Sequence, residues 1–288
     1  MNISRKMSAF RASVLLLLLL FARLSALEQS PPIKFDLVPP SLIEQRLKKF
    51  DGNDLKRQAT LKALFLDAGC KELTEQRVKG LRESNVICTS TGNSDAVIVV
   101  GAHFDHVDRG SGVVDNWSGA SLLPSLLQSI SKEPRRHTFV FIGFAGEEQG
   151  EVGSHFYVAS LTLEENHKIE AMINMDTLGL GPSEVWTSHA DPTLVRSIAG
   201  IAKSLKLPVS TMNVEAVGST DSEQFRNKKI PAITIHSLTN QTLPVLHSRQ
   251  DTIAQIKLND YYDTYKLIAG FLAYLDLRSA SLENPEPH

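Results

Sequence analysis

The chain has 288 residues, of which 42% are hydrophobic and 22% are charged, and its formal net charge at pH 7 is −2. These values are typical of a folded globular protein and exclude a largely disordered chain and a membrane protein with many spans. The near-neutral charge gives no basic surface for nucleic acid, so no nucleic-acid partner is expected.

Residues 1–26 have the order of regions found in a secretory signal peptide. Basic residues precede an apolar run from Val14 to Phe21, and small residues follow it. We expect cleavage after Ala26, which leaves no membrane span and places the mature chain in the periplasm or outside the cell. The alternative is an uncleaved membrane anchor, but the apolar run is shorter than the roughly 20 residues that a span requires.

Residues 27–84 are expected to form a helical packing segment of the catalytic domain, with no role in chemistry. Its prolines give an extended lead-in. Ser41 is predicted to cap a first helix, with Glu44 completing a capping box. Asp54 is predicted to cap a second helix, which ends near Gly69.

Cys70 and Cys88 are the two cysteines of the chain. In an exported protein such a pair favours a disulfide, and two cysteines allow one intramolecular pairing. The alternative is two free, buried thiols. Neither cysteine lies near the acid-rich and histidine-rich stretch described below, so a metal-binding role is not expected.

Apolar strands alternate with helices over the rest of the chain, which predicts an α/β fold. We find no internal repeat and no linker, so residues 27–288 are expected to form a single catalytic domain. The predicted strands are Asn85–Thr89, Ala96–Gly101, Thr138–Phe144, Ala171–Met175, Val185–Thr187 and Ile230–His236. The predicted helices are Ser118–Ile130, Ser154–Ala159, Pro192–Leu205, Ser222–Asn227 and a last one capped by Asn259 or Asp260.

Acids and a histidine follow three of these strands where each strand stops. His103 follows the first, the pair Glu147 and Glu148 follows the second, and Asp176 follows the third. The carboxyl ends of strands in an α/β sheet meet at one edge, where such folds place their chemistry. Histidine and carboxylates are the ligands of catalytic zinc.

Taken singly, these residues carry little information. His103 with Asp105 is a ligand backed by a carboxylate that fixes the ring tautomer, or an ordinary surface pair. Asp115 is a ligand, or an acid at a helix N-terminus, where the dipole favours it. His247 alone is an unremarkable loop histidine.

Jointly, these residues fit a site for two zinc ions. Asp115 would bridge both ions. His103 and Asp176 would complete one site. Glu148 and His247 would complete the other.

Glu147 is the acid that this arrangement leaves without a metal. Two adjacent acids are a costly pair unless a cation neutralises them, and neighbouring residues in extended chain point in opposite directions. Glu148 would therefore bind metal while Glu147 faces the bound water as general base. The alternative is a solvated surface pair.

Six short motifs occur in one order along the chain. They are Gly101-Ala102-His103-Phe104-Asp105, Asp115-Asn116-Trp117-Ser118-Gly119, Gly146-Glu147-Glu148-Gln149-Gly150, Gly153-Ser154, Asn174-Met175-Asp176 and His247-Ser248-Arg249-Gln250-Asp251-Thr252. This set resembles the secreted leucine-type di-zinc aminopeptidases of the zinc exopeptidase superfamily. The resemblance implies a mixed, mostly parallel, twisted β-sheet with helices on both faces. It also implies two zinc ions per chain and peptide substrates that lose their N-terminal residues.

The chain departs from this family in two places. The segment between His103 and Asp115 is short. The stretch after Gly218 resembles the family's Ser-Asp-His sequence, but Ser222 stands where histidine is common. Asp221 is expected in the substrate pocket, with a helix cap as the alternative.

Trp117 is the second residue placed at the pocket, and the alternative is that it packs beneath the cleft. Two other functions remain open. One is a related enzyme acting on another amide, such as a carboxypeptidase or a glutaminyl cyclase; cyclases of that kind use one zinc, which the complement for two ions disfavours. The other is an inactive binding module, which loss of a ligand or of the base would mark. The sequence does not predict an oligomeric state.

Overall fold

An eight-stranded sheet forms the centre of the protein in a computed structural model, which describes residues 33–215 and 218–278. The predicted signal peptide and the tail after residue 278 lie outside the described residues. The strands are β1 (Glu72–Arg77), β2 (Ser84–Ser90), β3 (Val97–His103), β4 (Thr138–Phe144), β5 (Ile169–Met175), β6 (Ser183–Val185), β7 (Val209–Thr211) and β8 (Ala232–His236).

The strands lie in the order β1-β2-β4-β3-β5-β8-β6-β7. The four central strands, β4, β3, β5 and β8, are parallel to one another. β1 and β2 add antiparallel strands at one side, and β6 pairs antiparallel with β8 at the other. The predicted mixed, mostly parallel α/β sheet is therefore confirmed.

Both faces of the central strands are buried, as their continuously apolar sequences indicate. In β3, Ile98 and Val100 contribute to one apolar core and Val99 contributes to the other. This alternation follows from the two-residue period of a strand.

Helices cover both cores. The helices of the described residues are α1 (Pro40–Leu47), α2 (Asp54–Asp67), α3 (Ser118–Ala120), α4 (Leu123–Ile130), α5 (Val152–Ser160), α6 (Leu163–Lys168), α7 (Pro192–Leu205), α8 (Ser222–Asn227) and α9 (Leu258–Leu277). Residues of α2, α4, α7 and α9 form much of the larger core, and residues of α5 and α8 contribute to the smaller one.

The starts of the first two helices differ from the prediction. α1 begins at Pro40 rather than after a Ser41 cap, and Pro39 provides no side-chain cap. Proline is favoured at a first helical position because its φ is already helical and the missing N–H has no partner there. α2 is capped by Asn53, whose side chain accepts the Lys56 N–H, and Asp54 is its first residue.

Two further predicted helix boundaries were wrong. The predicted helix Ser118–Ile130 is divided into α3 and α4, with Pro124 in the first turn of α4, where proline is tolerated. α9 begins at Leu258 and has no side-chain cap from Asn259 or Asp260.

Cys70 and Cys88 form a disulfide, with their Cα atoms 6.1 Å apart. The predicted pairing is confirmed, and it links the chain just after α2 to β2. Within the described residues, none of the helices combines the length and the apolar composition needed to cross a membrane.

Candidate metal centre

The carboxyl ends of the central strands bring four predicted site residues together. His103 is the last residue of β3, and Asp176 follows β5 directly. Glu147 and Glu148 lie in the turn that follows β4. Since β3, β4 and β5 are parallel neighbours, these ends meet at the same edge of the sheet.

Asp115 and His247 reach the same place from loops. Asp115 lies in an irregular, π-type turn, Val113–Trp117, in which its own backbone is not helical. His247 follows the short helical turn Leu243–Val245 and has a left-handed backbone, with φ of 50°.

Asp115 lies between the two histidines. Its Oδ1 is 3.3 Å from His103 Nε2, and its Oδ2 is 3.2 Å from His247 Nε2. Asp176 Oδ1 is 3.7 Å from the same nitrogen of His103. Glu148 Oε2 is 3.1 Å from His247 Nε2.

These distances define two groups of three ligand atoms that share Asp115. In each group the atoms lie within 4.8 Å of one another. A third group of this kind combines His103 with Glu147 and Glu148. The structure thus brings together all six residues singled out for metal binding and general base chemistry.

The charges of this cluster are unbalanced without a cation. Burial raises the pKa of Glu147 well above its usual range and raises that of Glu148. Hydrogen bonds to Asp115 and Glu148 raise the pKa of His247 to about 10. Several acids around two histidines make a site that attracts either protons or metal ions.

One oxygen of the cluster supports the metal interpretation directly. Glu148 Oε1 is buried and has no hydrogen-bond partner among the described residues. A buried carboxylate oxygen without a partner is costly, and a cation would satisfy it. Imidazole nitrogens and carboxylate oxygens are the ligand set that zinc accepts, so the residues present fit this metal.

Asp105 contacts His103 differently from the prediction. His103 Nδ1 is 3.2 Å from the backbone oxygen of Asp105 and 3.6 Å from its carboxylate. The carboxylate accepts the backbone N–H groups of Glu147 and Glu148 at 3.1 Å each. Asp105 therefore connects the His103 strand end to the glutamate pair.

Two threonines hold Asp176. Thr177 Oγ1 donates to Oδ1 at 3.0 Å, and Thr220 Oγ1 donates to Oδ2 at 2.9 Å. Asn174 Nδ2 donates in turn to Thr220 Oγ1 at 2.6 Å. The sequence did not predict that Thr177 and Thr220 hold Asp176, because no local signal relates Thr220 to a strand end 44 positions earlier.

A pocket with a volume of about 70 Å³ opens beside the cluster. The acids and histidines of the cluster form part of the pocket lining. Its apolar wall consists of Trp186, Val214, Leu238 and Leu246.

Neither Trp117 nor Asp221 is among the described residues that line this pocket. Trp117 is fully buried, contacts the guanidinium of Arg57 and donates its indole N–H to the Arg46 backbone oxygen. Asp221 is fully buried in front of α8 without capping it, and burial raises its pKa to about 8. The alternative of Trp117 packing beneath the cleft thus agrees with the structure.

Comparison with known proteins identifies relatives of this chain. It is 29% identical over 143 residues to leupeptin-inactivating enzyme 1 of Streptomyces exfoliatus, an alignment that covers 49% of this chain and 32% of that enzyme. The chain thus spans about a third of the length of this relative.

Solved structures of other proteins share the fold, and two examples follow. The Legionella pneumophila LapA aminopeptidase superposes with a TM-score of 0.75 and 22% identity, over 84% of this chain and 73% of LapA. A glutaminyl cyclase from an Acidobacteriales bacterium superposes with a TM-score of 0.69 and 17% identity, over 87% of this chain and all of the cyclase.

A family model described as peptidase family M28 matches residues 85–272, a range that contains every metal-site candidate. Because this match covers well over half of the sequence, the chain belongs to peptidase family M28.

Proposed function

We propose that this chain is a metallo-aminopeptidase with two zinc ions, and that it removes N-terminal residues from peptides. The observation that carries the proposal is the pair of ligand groups that share Asp115. Membership of a peptidase family and the fold shared with an aminopeptidase support it.

Asp115 would bridge the two ions in this proposal. His103 and Asp176 would hold one ion, and Glu148 and His247 would hold the other. Two zinc ions, when bound, polarise a peptide carbonyl and lower the pKa of water. Asp105 would orient His103 and the glutamate turn from behind.

Glu147 would act as the general base. Its carboxylate lies 3.9 Å from His103 Nε2, and burial raises its pKa. A carboxylate with a raised pKa is a stronger base, so Glu147 can take a proton from water and pass it to the departing amine. Removal of such a base usually costs about 10²–10⁴-fold in rate.

The pocket would receive the side chain of the N-terminal residue. Its wall of Trp186, Val214, Leu238 and Leu246 is apolar. His236 adds no charge, because burial lowers its pKa. The Leu238 N–H donates to His236 Nδ1, and His236 Nε2 lies 2.9 Å from the Met212 carbonyl oxygen.

Glutaminyl cyclisation is the second candidate, because the shared fold covers the whole of a cyclase chain. The ligand groups distinguish the two functions, since a cyclase of that kind needs one zinc and this cluster offers two groups. Purified protein supplied with N-terminal glutaminyl peptides should release free glutamine as an aminopeptidase. A product that has lost ammonia but kept its chain length would favour the cyclase.

Metal analysis combined with a substrate panel tests the proposal. We expect about two zinc ions per chain and cleavage of aminoacyl-nitroanilides that chelation abolishes. Glu147→Gln should retain the metal and lose most turnover. Activity that survives exhaustive chelation would refute the metal mechanism, and equal cleavage of N-acetylated substrates would refute the aminopeptidase assignment alone.

We also propose that the chain is exported. The order of basic, apolar and small residues at its N-terminus supports export, and so does the Cys70–Cys88 disulfide, since such bonds persist in oxidising compartments. N-terminal sequencing of protein recovered outside the cytoplasm should begin at or near Leu27, and a start at Met1 would contradict signal cleavage.

A further inference from the structure

The connecting loop, residues 104–114, joins the ligands His103 and Asp115 and is bound by a buried arginine. Arg57 of α2 is fully buried. Its Nη1 donates to the carbonyl oxygens of Phe104 at 3.1 Å and Gly112 at 2.9 Å, and its Nη2 donates to that of Ser111 at 2.5 Å. The cation thus binds carbonyl oxygens at both ends of the loop.

A buried aspartate binds the N–H groups that follow. Asp251 Oδ1 accepts the backbone N–H groups of Val113 at 2.9 Å and Val114 at 2.8 Å. Its other oxygen, Oδ2, accepts the N–H of Asp115 at 3.1 Å. Asp251 is 2% exposed and lies four residues after His247, so one short segment supports two ligands.

Two glycines show how closely the connecting loop is enclosed. Gly110 and Gly112 have left-handed backbones, with φ of 85° and 55°. A Cβ atom on Gly110 would come within 2.3 Å of the Ser248 carbonyl oxygen, and one on Gly112 within 2.4 Å of His106 Cβ. The loop therefore packs closely against Ser248 and His106, with no space for a side chain at either glycine.

We propose that Arg57 and Asp251 are positioning residues that hold the connecting loop so that Asp115 faces both ligand groups. This inference rests on the proposed two-metal function. Neither residue is a member of the ligand groups or of the pocket lining. Charged hydrogen bonds to backbone groups are stronger and more directional than neutral ones, which suits them to this purpose.

Asp251→Asn separates the contact to the Asp115 N–H from the contacts to the N–H groups of Val113 and Val114. An amide oxygen can still accept the N–H groups of Val113 and Val114, but its NH₂ group then faces the N–H of Asp115, donor against donor. The loop should remain folded while the bridging carboxylate loses its orientation. Arg57→Lys is the companion change, because one ammonium group cannot span the carbonyls that a guanidinium reaches.

Each variant has a matched control. Asp276 is also buried and accepts two backbone N–H groups, those of Arg136 and His137, away from the ligand groups. Arg46 is a buried arginine that binds Ser125 and Gln128 side chains instead of the connecting loop. Asp276→Asn and Arg46→Lys therefore disturb buried charges without touching the loop.

Competition with a chelator, which gives the zinc stoichiometry and the two dissociation constants, tests the proposal. We expect about 10–100-fold weaker zinc binding for Asp251→Asn and Arg57→Lys, and wild-type binding for both controls. Circular dichroism of the metal-free proteins checks that each variant is folded.

Three results would overturn the proposal. If the wild type binds two zinc ions and both variants bind them equally tightly, the positioning role is wrong while the proposed function stands. If the controls lose as much affinity as the variants, the effect is general destabilisation. If the wild type fails to bind paired zinc ions, the proposed function fails and this inference fails with it.

Discussion

A single hydroxyl group connects the proposed ligand Asp176 to the loop beside the pocket. Thr220 donates to Asp176 Oδ2 and accepts from Asn174 Nδ2. Thr220→Val keeps the shape of the side chain but leaves both partners unpaired, which costs about 1–3 kcal/mol for each buried group. We predict roughly tenfold weaker zinc binding, measured by competition with a chelator.

A second buried hydroxyl provides the control for this change. Thr264 pairs with Ser183 at 2.8 Å, and neither residue belongs to the ligand groups or the pocket lining. Thr264→Val should lower the free energy of unfolding without changing zinc affinity. Equal zinc affinity in Thr220→Val and the wild type would show that zinc binding does not depend on the hydrogen bond from Thr220 to Asp176.

The residues of the candidate site differ in how well the sequence alone predicts them. His103 and Asp176 were predictable because each stands where an apolar strand stops, which is a local signal. Asp251 stands in the last of the six motifs, but its contacts and those of Arg57 were not predictable, since their partners lie 136 to 138 and 47 to 55 positions away. Contacts of this kind arise from the packing of the finished sheet.

At the level of elements, one histidine joins β4, β5 and α9. His137 is buried just before β4, with Nε2 3.0 Å from Glu170 of β5 and Nδ1 3.4 Å from Asp276 of α9. Burial alone would lower the pKa of His137, but hydrogen bonds to these two acids raise it. The folded protein therefore holds the proton more tightly than the unfolded chain does.

This shift predicts how stability depends on pH. The contribution of His137 is complete below the unfolded pKa of about 6.5 and is lost as the pH rises through the higher folded value. His137→Gln should remove this part of the dependence in urea titrations between pH 6 and 9. A mutant whose stability falls with pH as steeply as that of the wild type would contradict the assignment.

Helices and strands with a clear apolar periodicity were predicted well, and those with mostly polar sequences were missed. The amphipathic spacing of Pro192–Leu205 gave α7 with its observed bounds, and Asp191 caps it. β1 was missed because its residues, Glu72–Arg77, are mostly exposed at the edge of the sheet and show no apolar alternation. α6 was missed because it buries no side chain.

At the level of the whole molecule, the disulfide limits the number of conformations that the unfolded chain can adopt. Cys70 and Cys88 are 18 positions apart, and closing a loop of this size stabilises a protein by about 3 kcal/mol in the chain-entropy account. We predict a loss of this size for the Cys70→Ser, Cys88→Ser double variant in urea unfolding. Zinc affinity should not change, since neither residue belongs to the ligand groups, and a parallel loss of zinc would contradict this separation.

The stability of the whole chain should depend on pH differently in the metal-free and the zinc-loaded protein. Without metal, hydrogen bonds to Asp115 and Glu148 raise the pKa of His247 from the ordinary value of about 6.5 to about 10, so the folded chain holds a proton there that the unfolded chain loses between these values. The pKa values of His103, Glu147 and Glu148 are raised as well, which acts in the same direction. The metal-free protein must then lose stability as the pH rises across this range.

Zinc bound at the proposed site should remove that loss, because it would take the place of the protons on the side chains that bind it. The difference in melting temperature between zinc-loaded and chelated protein should therefore increase from pH 6 to pH 9, as scanning calorimetry can measure. His247→Ala deletes the proposed ligand whose pKa is raised to about 10 and should reduce the increase. A difference that stays constant or shrinks with pH would mean that zinc, if it binds, does not displace protons from these side chains.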